Sequence, residues 1–158
     1  MVTATRSATR SPGPAAGPRP HPHRLVFSVA AGVISAAGLA GAAQLVTGTY
    51  TPPVADLDPL GLRSWVLPGL WLFASVGVPW ATATWAAVRR WPSTPTVVLG
   101  AAGLLAFELA VQIPFLGFSP FQPILGAAAV VLGLLAWRDR RAWPAPARPG
   151  PDRPPRPY

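Results

Sequence analysis

The sequence predicts an all-α membrane protein in which four transmembrane helices form a bundle between two disordered tails rich in proline and arginine. Of its 158 residues 51% are hydrophobic and only 11% are charged, whereas about a quarter of the residues of a soluble domain are charged. The charges lie almost wholly outside four apolar stretches, each of about the length that crosses hydrocarbon. All 13 basic residues are arginine, and most flank those stretches, as expected of membrane topology.

The two ends of the chain have the composition of disordered segments. Residues 1–24 and 139–158 are rich in Pro, Ala and Arg, and such segments bury too little apolar surface to fold. His21 and His23 offer two imidazoles without a third ligand nearby. We therefore interpret them as part of a solvated tail and predict no metal site.

The first span covers residues 25–46, about 33 Å of helix. Several of its small residues lie four apart, as do Gly32, Ala36 and Ala40, and likewise Gly38 and Ala42. This spacing allows a second helix to approach closely, although alanine and glycine are common throughout the chain. A cleaved signal peptide is the alternative, but the apolar stretch is long and a long tail precedes it.

The second span covers residues 65–88 and follows a polar loop that contains two solvated aspartates, Asp56 and Asp58. Tryptophans near its two ends, Trp65 and Trp85, suit the headgroup region. Pro79 lies deep inside the span and is expected to kink it by freeing the carbonyl of Ser75. Ser75, Thr82 or a neighbouring helix can satisfy that carbonyl, and we favour a static kink over a moving part.

The third and fourth spans cover residues 95–113 and 121–137 and form a helical hairpin. Thr94 is placed to cap the third span, with Pro95 as its first residue, and Pro114 is expected to end or kink it. Ser119 and Gln122 have the spacing of a capping box at the start of the fourth span. Four consecutive charged residues, 138–141, follow its end at Trp137.

The arginines predict which way the chain crosses the membrane. With four crossings, twelve of them lie on one side, in the two tails and at Arg89 and Arg90, and only Arg63 lies on the other. Because arginine is retained on the cytoplasmic side, we expect a multi-pass protein of the plasma membrane with both termini in the cytoplasm. The basic tails are also suited to contact anionic lipid.

The polar residues inside the spans lie toward the outer leaflet in this orientation. Glu108 is the only acidic residue in any span, and a carboxylate in hydrocarbon needs a partner, a proton or a polar cavity. We predict a shared polar cluster of Glu108, Gln112, Gln44, Gln122 and Arg63. In it Arg63 pairs with Glu108, or Glu108 stays neutral because burial disfavours its charged form.

Composition and spacing also limit the function. The absence of cysteine excludes thiol and dithiol chemistry, and the arginines do not form the aromatic and basic surface of a nucleic-acid-binding domain. We find no catalytic constellation and predict no cofactor. The function that we favour from the sequence is that of a non-enzymatic structural or accessory protein, which contacts a membrane partner or a second copy of itself. The alternative is a small proton- or cation-coupled transporter that uses Glu108.

Three segments resemble small four-span integral membrane proteins of bacteria, of the actinobacterial kind. The resemblance rests on a stretch of the second span, on one residue of the third and on the start of the fourth. These are Leu67-Pro68-Gly69-Leu70-Trp71-Leu72, Glu108, and Phe121-Gln122-Pro123 with Leu125-Gly126. The resemblance covers residues 25–138 and implies a four-span fold and no particular activity. Small multidrug exporters also have four helices and one membrane glutamate, but theirs lies in the first helix, which has none here.

Overall fold

The computed structural model describes residues 22–116 and 121–142, which form helices and turns and no strand. Four long helices follow one another: α1 (Arg24–Thr47), α2 (Val66–Val88), α3 (Thr94–Leu116) and α4 (Phe121–Ala142), with a short 3₁₀ helix (Val54–Leu60) between the first two. All four are long and apolar enough to cross a membrane. The predicted fold class is therefore confirmed, while the tails up to residue 21 and from residue 143 lie outside the described residues.

Helices that follow one another in the chain pack against each other. Extensive contacts join α1 to α2, α2 to α3, and α3 to α4, and one hydrophobic core contains side chains from all four. Its largest fully buried side chains include Trp80 and Phe27. We call the end of the bundle with the 3₁₀ helix the loop end, and the opposite end, where α1 begins and α4 finishes, the terminal end.

Glycines bring α1 and α2 into close contact. A Cβ atom at Gly38 of α1 would lie 2.9 Å from the side chain of Val76 and 3.3 Å from the backbone nitrogen of Gly77. Gly38 and Ala42 are buried, whereas Ala36 and Ala40 are exposed. One of the two small-residue rows of the first span therefore serves close helix packing, as the four-residue spacing predicts.

The predicted irregularity at Pro79 is a π turn. Residues Phe73–Gly77 of α2 are π-helical. Val78 separates them from Pro79, which has no N–H to donate to Ser75. The N–H of Val78 bonds instead to the carbonyl five residues back, that of Phe73. Four hydroxyls donate to carbonyls of this helix: Ser75 to Trp71 (2.8 Å), Thr82 to Val78 (2.9 Å), Thr84 to Trp80 (2.8 Å) and, from α1, Ser35 to Gly77 (3.1 Å).

Two helix starts differ from the expected ones. Helix α1 begins at Arg24, so that His23 belongs to the folded part, and the Arg24 Nε donates to the carbonyl of Ala87 at the end of α2 (2.8 Å). Helix α3 begins at Thr94 itself. The Thr94 hydroxyl donates to the carbonyl of Trp91 in the preceding turn (2.7 Å) and therefore does not act as the expected N-cap acceptor.

Two helix ends and one tryptophan also differ. Helix α3 continues to Leu116, so Pro114 does not end it, and α4 continues past Trp137 to Ala142. Its last turn carries exposed arginines, which prefer water while the backbone stays helical. Trp65 is buried rather than exposed to headgroups, because its indole N–H donates to the carbonyl of Pro52 in the loop (2.9 Å). The predicted capping serine, Ser119, lies outside the described residues.

Candidate functional site at Glu108

Glu108 lies inside the bundle, on the side of α3 that faces α2. It is 14 residues from the start of α3, about 21 Å along the helix axis, and therefore nearer the loop end. Only 5% of its surface is exposed. Among the helical residues 25–47, 66–88, 94–116 and 121–137 it is the only ionisable side chain, and a lone carboxylate at that depth is stable only with hydrogen-bond donors or a proton.

Three side chains donate hydrogen bonds to the Glu108 carboxylate. The indole Nε1 of Trp71 (2.5 Å) and the hydroxyl of Ser75 (3.1 Å) both donate to Oε2. The amide Nε2 of Gln112 donates to Oε1 (2.9 Å). A carboxylate has about four lone-pair positions, so these contacts occupy two on Oε2 and one on Oε1 and leave one acceptor position on Oε1.

Helical spacing explains why these four residues meet. Trp71 and Ser75 are four apart on α2, and Glu108 and Gln112 are four apart on α3, so each pair shares one face of its helix. The Ser75 hydroxyl also lies 2.8 Å from the carbonyl of Trp71. Because a hydroxyl has one hydrogen to donate, the two acceptors share it when Glu108 is ionised. The π turn of α2 begins between Trp71 and Ser75 and sets their positions relative to α3.

The structure brings together part of the predicted cluster. Glu108 and Gln112 are joined directly, whereas Gln44 is exposed on α1 and its side chain has no hydrogen bond within residues 22–116 and 121–142. Arg63 is exposed in the loop, and the single salt bridge of these ranges does not involve it, so Arg63 is not the partner of Glu108. Gln122 is buried at the start of α4.

The principal donor, Trp71, was not among the residues predicted for the site. Its sequence signal was weak, since tryptophans near the ends of spans usually mark the headgroup region. The useful signal was chemical. An indole N–H can only donate, and Trp71 stands one helical turn before Ser75, so that α2 presents two donors on one face to a carboxylate that lacks a cation.

Glu108 also lines a cavity of about 410 Å³ at the loop end, between α1, α2, α3 and the 3₁₀ helix. Four further residues of its wall carry polar groups or aromatic rings: Asp56, Trp65, Trp71 and Gln112. The other eight lining residues are six leucines, one valine and one proline. The cavity is thus an apolar space with a carboxylate and an amide on one wall and a second carboxylate from the loop.

A second polar contact joins the first and last helices at the terminal end. The Nδ1 of His23 lies 2.8 Å from Oδ1 of Asp139. Asp139 is buried, with its Oδ2 unpartnered within the described part of the chain, and His23 is half-buried. This contact ties the residue before α1 to α4, which packs along its length on α3. No group of three His, Cys, Asp or Glu residues in these ranges is close enough to hold a metal ion.

The chain was compared with protein-family models, with curated proteins and with solved structures, and none of the three comparisons finds a match. The resemblance to small four-span bacterial membrane proteins therefore stays a prediction.

Proposed function

We propose that this chain is a non-enzymatic integral membrane protein, a structural or accessory component that works through contacts between helices in the bilayer. The observation that carries the proposal is the hydrogen bonding of the Glu108 carboxylate. Three donors from α2 and α3 hold its carboxylate, and such an arrangement joins two helices strongly where water is absent.

The open surface of α1 supports contact with a further helix. A shallow groove of about 290 Å³ runs between α1 and α2 on the outside of the bundle, and small residues such as Gly32, Ser35 and Ala36 line it. Exposed Gln44 lies two turns beyond Ala36 on the same helix. Small residues let another helix approach closely, and a polar side chain in hydrocarbon favours a protein partner over lipid.

Site-specific crosslinking tests this role, because the chain contains no cysteine and single-cysteine variants have a clean background. A benzophenone maleimide is attached to Ala36→Cys and, as a control on another exposed helix face, to Val131→Cys of α4. Illumination of native membranes is expected to give one adduct of discrete mass from Ala36→Cys only. Equal labelling from both positions, or no adduct from Ala36→Cys, would contradict the proposal.

We further propose that the terminal end of the bundle faces the cytoplasm and that the protein resides in the plasma membrane. Two arginines there stack on tryptophans: Arg89 lies 4.3 Å from the ring centre of Trp85, and Arg141 lies 3.6 Å from that of Trp137. Such pairs suit an interface rich in anionic headgroups. A reporter that is active only in the cytoplasm is expected to be active when it is fused after Tyr158. If a reporter that is active only in the periplasm is active at the same position, this orientation is wrong.

A small proton- or cation-coupled carrier is the second candidate. The observation in its favour is that Glu108 lines the cavity at the loop end as well as joining two helices. A carrier predicts substrate flux in liposomes that depends on an ion gradient and is lost in Glu108→Gln. A structural role predicts that the same substitution alters stability and leaves such flux absent in both proteins.

A further inference from the structure

The cavity at the loop end has the volume of a pocket for a small organic ligand. Its volume of about 410 Å³ lies within the range of roughly 300–1,000 Å³ that pockets for small organic ligands occupy. Two of its lining leucines, Leu60 and Leu67, are exposed, so the space is open to its surroundings. An open apolar space with a few polar groups on one wall has the usual composition of a ligand site.

The charges on the cavity wall are all of one sign. Glu108 and Asp56 line it, and no basic residue is among its lining residues within the described ranges. Arg63 in the same loop is not part of the wall. An anionic head group would therefore meet two carboxylates without a counter-charge, whereas a cation would meet complementary charge.

The hydrogen bonds of Glu108 leave room for such a cation. Trp71 and Ser75 both donate to Oε2, but only Gln112 donates to Oε1. Because each carboxylate oxygen offers about two lone pairs, Oε1 retains one acceptor position. The existing donors hold the carboxylate in a defined orientation, which lowers the conformational cost of binding.

Aromatic rings add a second attraction of the same kind. Trp65 and Trp71 both line the cavity, and their indole N–H groups are already bonded, to Pro52 and to Glu108. What they offer a ligand is the ring, whose negative face attracts cations. The same rings and the surrounding leucines also accommodate an apolar body.

We propose that this cavity binds an amphiphilic organic monocation, with a protonated amine head beside Glu108 and an apolar body among the leucines. This inference goes beyond the contact role proposed above, which requires no ligand. It also differs from the carrier function, because binding to the purified protein needs no ion gradient. The two proposals fail independently: loss of crosslinking at Ala36→Cys does not affect binding at Glu108.

The test uses two amphiphiles with the same chain and opposite charge, octylammonium and octanesulfonate. Each is titrated below its micellar concentration into the full-length protein in an uncharged maltoside detergent, and heats are corrected with protein-free micelles. We expect saturable binding of the cation only. Equal binding of both amphiphiles, or no saturable heat with the cation, would overturn the proposal.

Three variants locate the binding. Glu108→Gln keeps the size of the side chain and removes its charge, and we expect the cation to bind at least tenfold more weakly. Val111→Trp fills the cavity from α3 without removing any donor to Glu108, and it is expected to abolish binding even where Glu108→Gln proves poorly folded. Asp58→Asn is the control, because Asp58 is exposed and outside the cavity. Unchanged affinity in both cavity variants, or an equal loss in Asp58→Asn, would exclude this site.

Discussion

Substitution of Gly69 by alanine tests how closely α1 and α2 pack at the loop end. A Cβ atom at this position would lie 2.9 Å from Cγ2 of Val46, 3.0 Å from Cβ of Leu45 and 3.1 Å from the backbone oxygen of Ala42. Ordinary van der Waals contacts of a Cβ atom begin at 3.4 Å, so α1 would have to move by several tenths of an ångström. The Val46 side chain can rotate away, but the carbonyl of Ala42 belongs to the helix backbone and cannot.

The expected loss follows from two opposing terms. Excess atoms in a well-packed interface cost about 1–3 kcal/mol, while alanine gains about 0.5–1 kcal/mol over glycine inside a helix. We therefore expect Gly69→Ala to lower the free energy of unfolding by about 1–2 kcal/mol. Gly103→Ala on α3 is the matched control, since nothing lies within 4 Å of its Cβ position. It should be neutral or stabilising by up to about 1 kcal/mol.

Reversible unfolding of both variants in mixed micelles, with increasing sodium dodecyl sulfate in a maltoside detergent, gives the two free energies. Helix content from circular dichroism and tryptophan emission should report the same transition if unfolding is two-state. If Gly69→Ala proves as stable as Gly103→Ala, the close approach of α1 to α2 at Gly69 is not a feature of the folded protein.

Three further predictions use the same unfolding measurement. Trp71→Phe keeps an aromatic ring but removes one donor to the buried carboxylate, and it should lower the free energy of unfolding by about 1.5–3 kcal/mol. The control, Trp85→Phe at an exposed position, should leave that free energy almost unchanged. Equal losses in the two variants would mean that the indole N–H of Trp71 does not stabilise the protein. Ser35→Ala removes the hydroxyl that donates to the π turn, with an expected loss of about 0.5–1.5 kcal/mol, and an unchanged free energy would show that the turn does not depend on it. His23→Ala leaves the buried carboxylate of Asp139 without its partner and should cost about 1–3 kcal/mol; the double variant with Asp139→Ala should recover part of that loss, and strictly additive losses would refute the pairing.

The sequence predicts correctly those features whose free energy depends on the residues of a single helix. The lengths of four apolar stretches decide how many helices can cross hydrocarbon, because the cost of placing a segment in lipid is a sum over its residues. The irregularity near Pro79 was predictable for a similar reason, since a missing N–H disrupts its own helix. The form of the irregularity, a π turn at Phe73–Gly77, is seen only in the structure, where Ser35 of α1 donates to the carbonyl of Gly77.

The partners of Glu108 were harder to predict. Its pairing with Gln112 follows from helical spacing, and the structure contains it. The expected cation, Arg63, is exposed, and Trp71 and Ser75 donate instead. Charge favoured Arg63 in the sequence, but charge carries no information about the rotation of α2 around its axis, and that rotation decides which side chains face α3.

The contact between the two ends of the bundle's chain, at His23 and Asp139, could not be predicted from the sequence. His23 belongs by composition to a solvated tail, yet it contacts Asp139, 116 residues away. Apolar length and proline position act within a single helix, so the order of residues determined the four helices and the place where α2 is irregular. The depth of the cavity, the donors on Glu108 and the contact between the first and last helices were decided by tertiary structure, because each requires side chains of different helices to meet at one point.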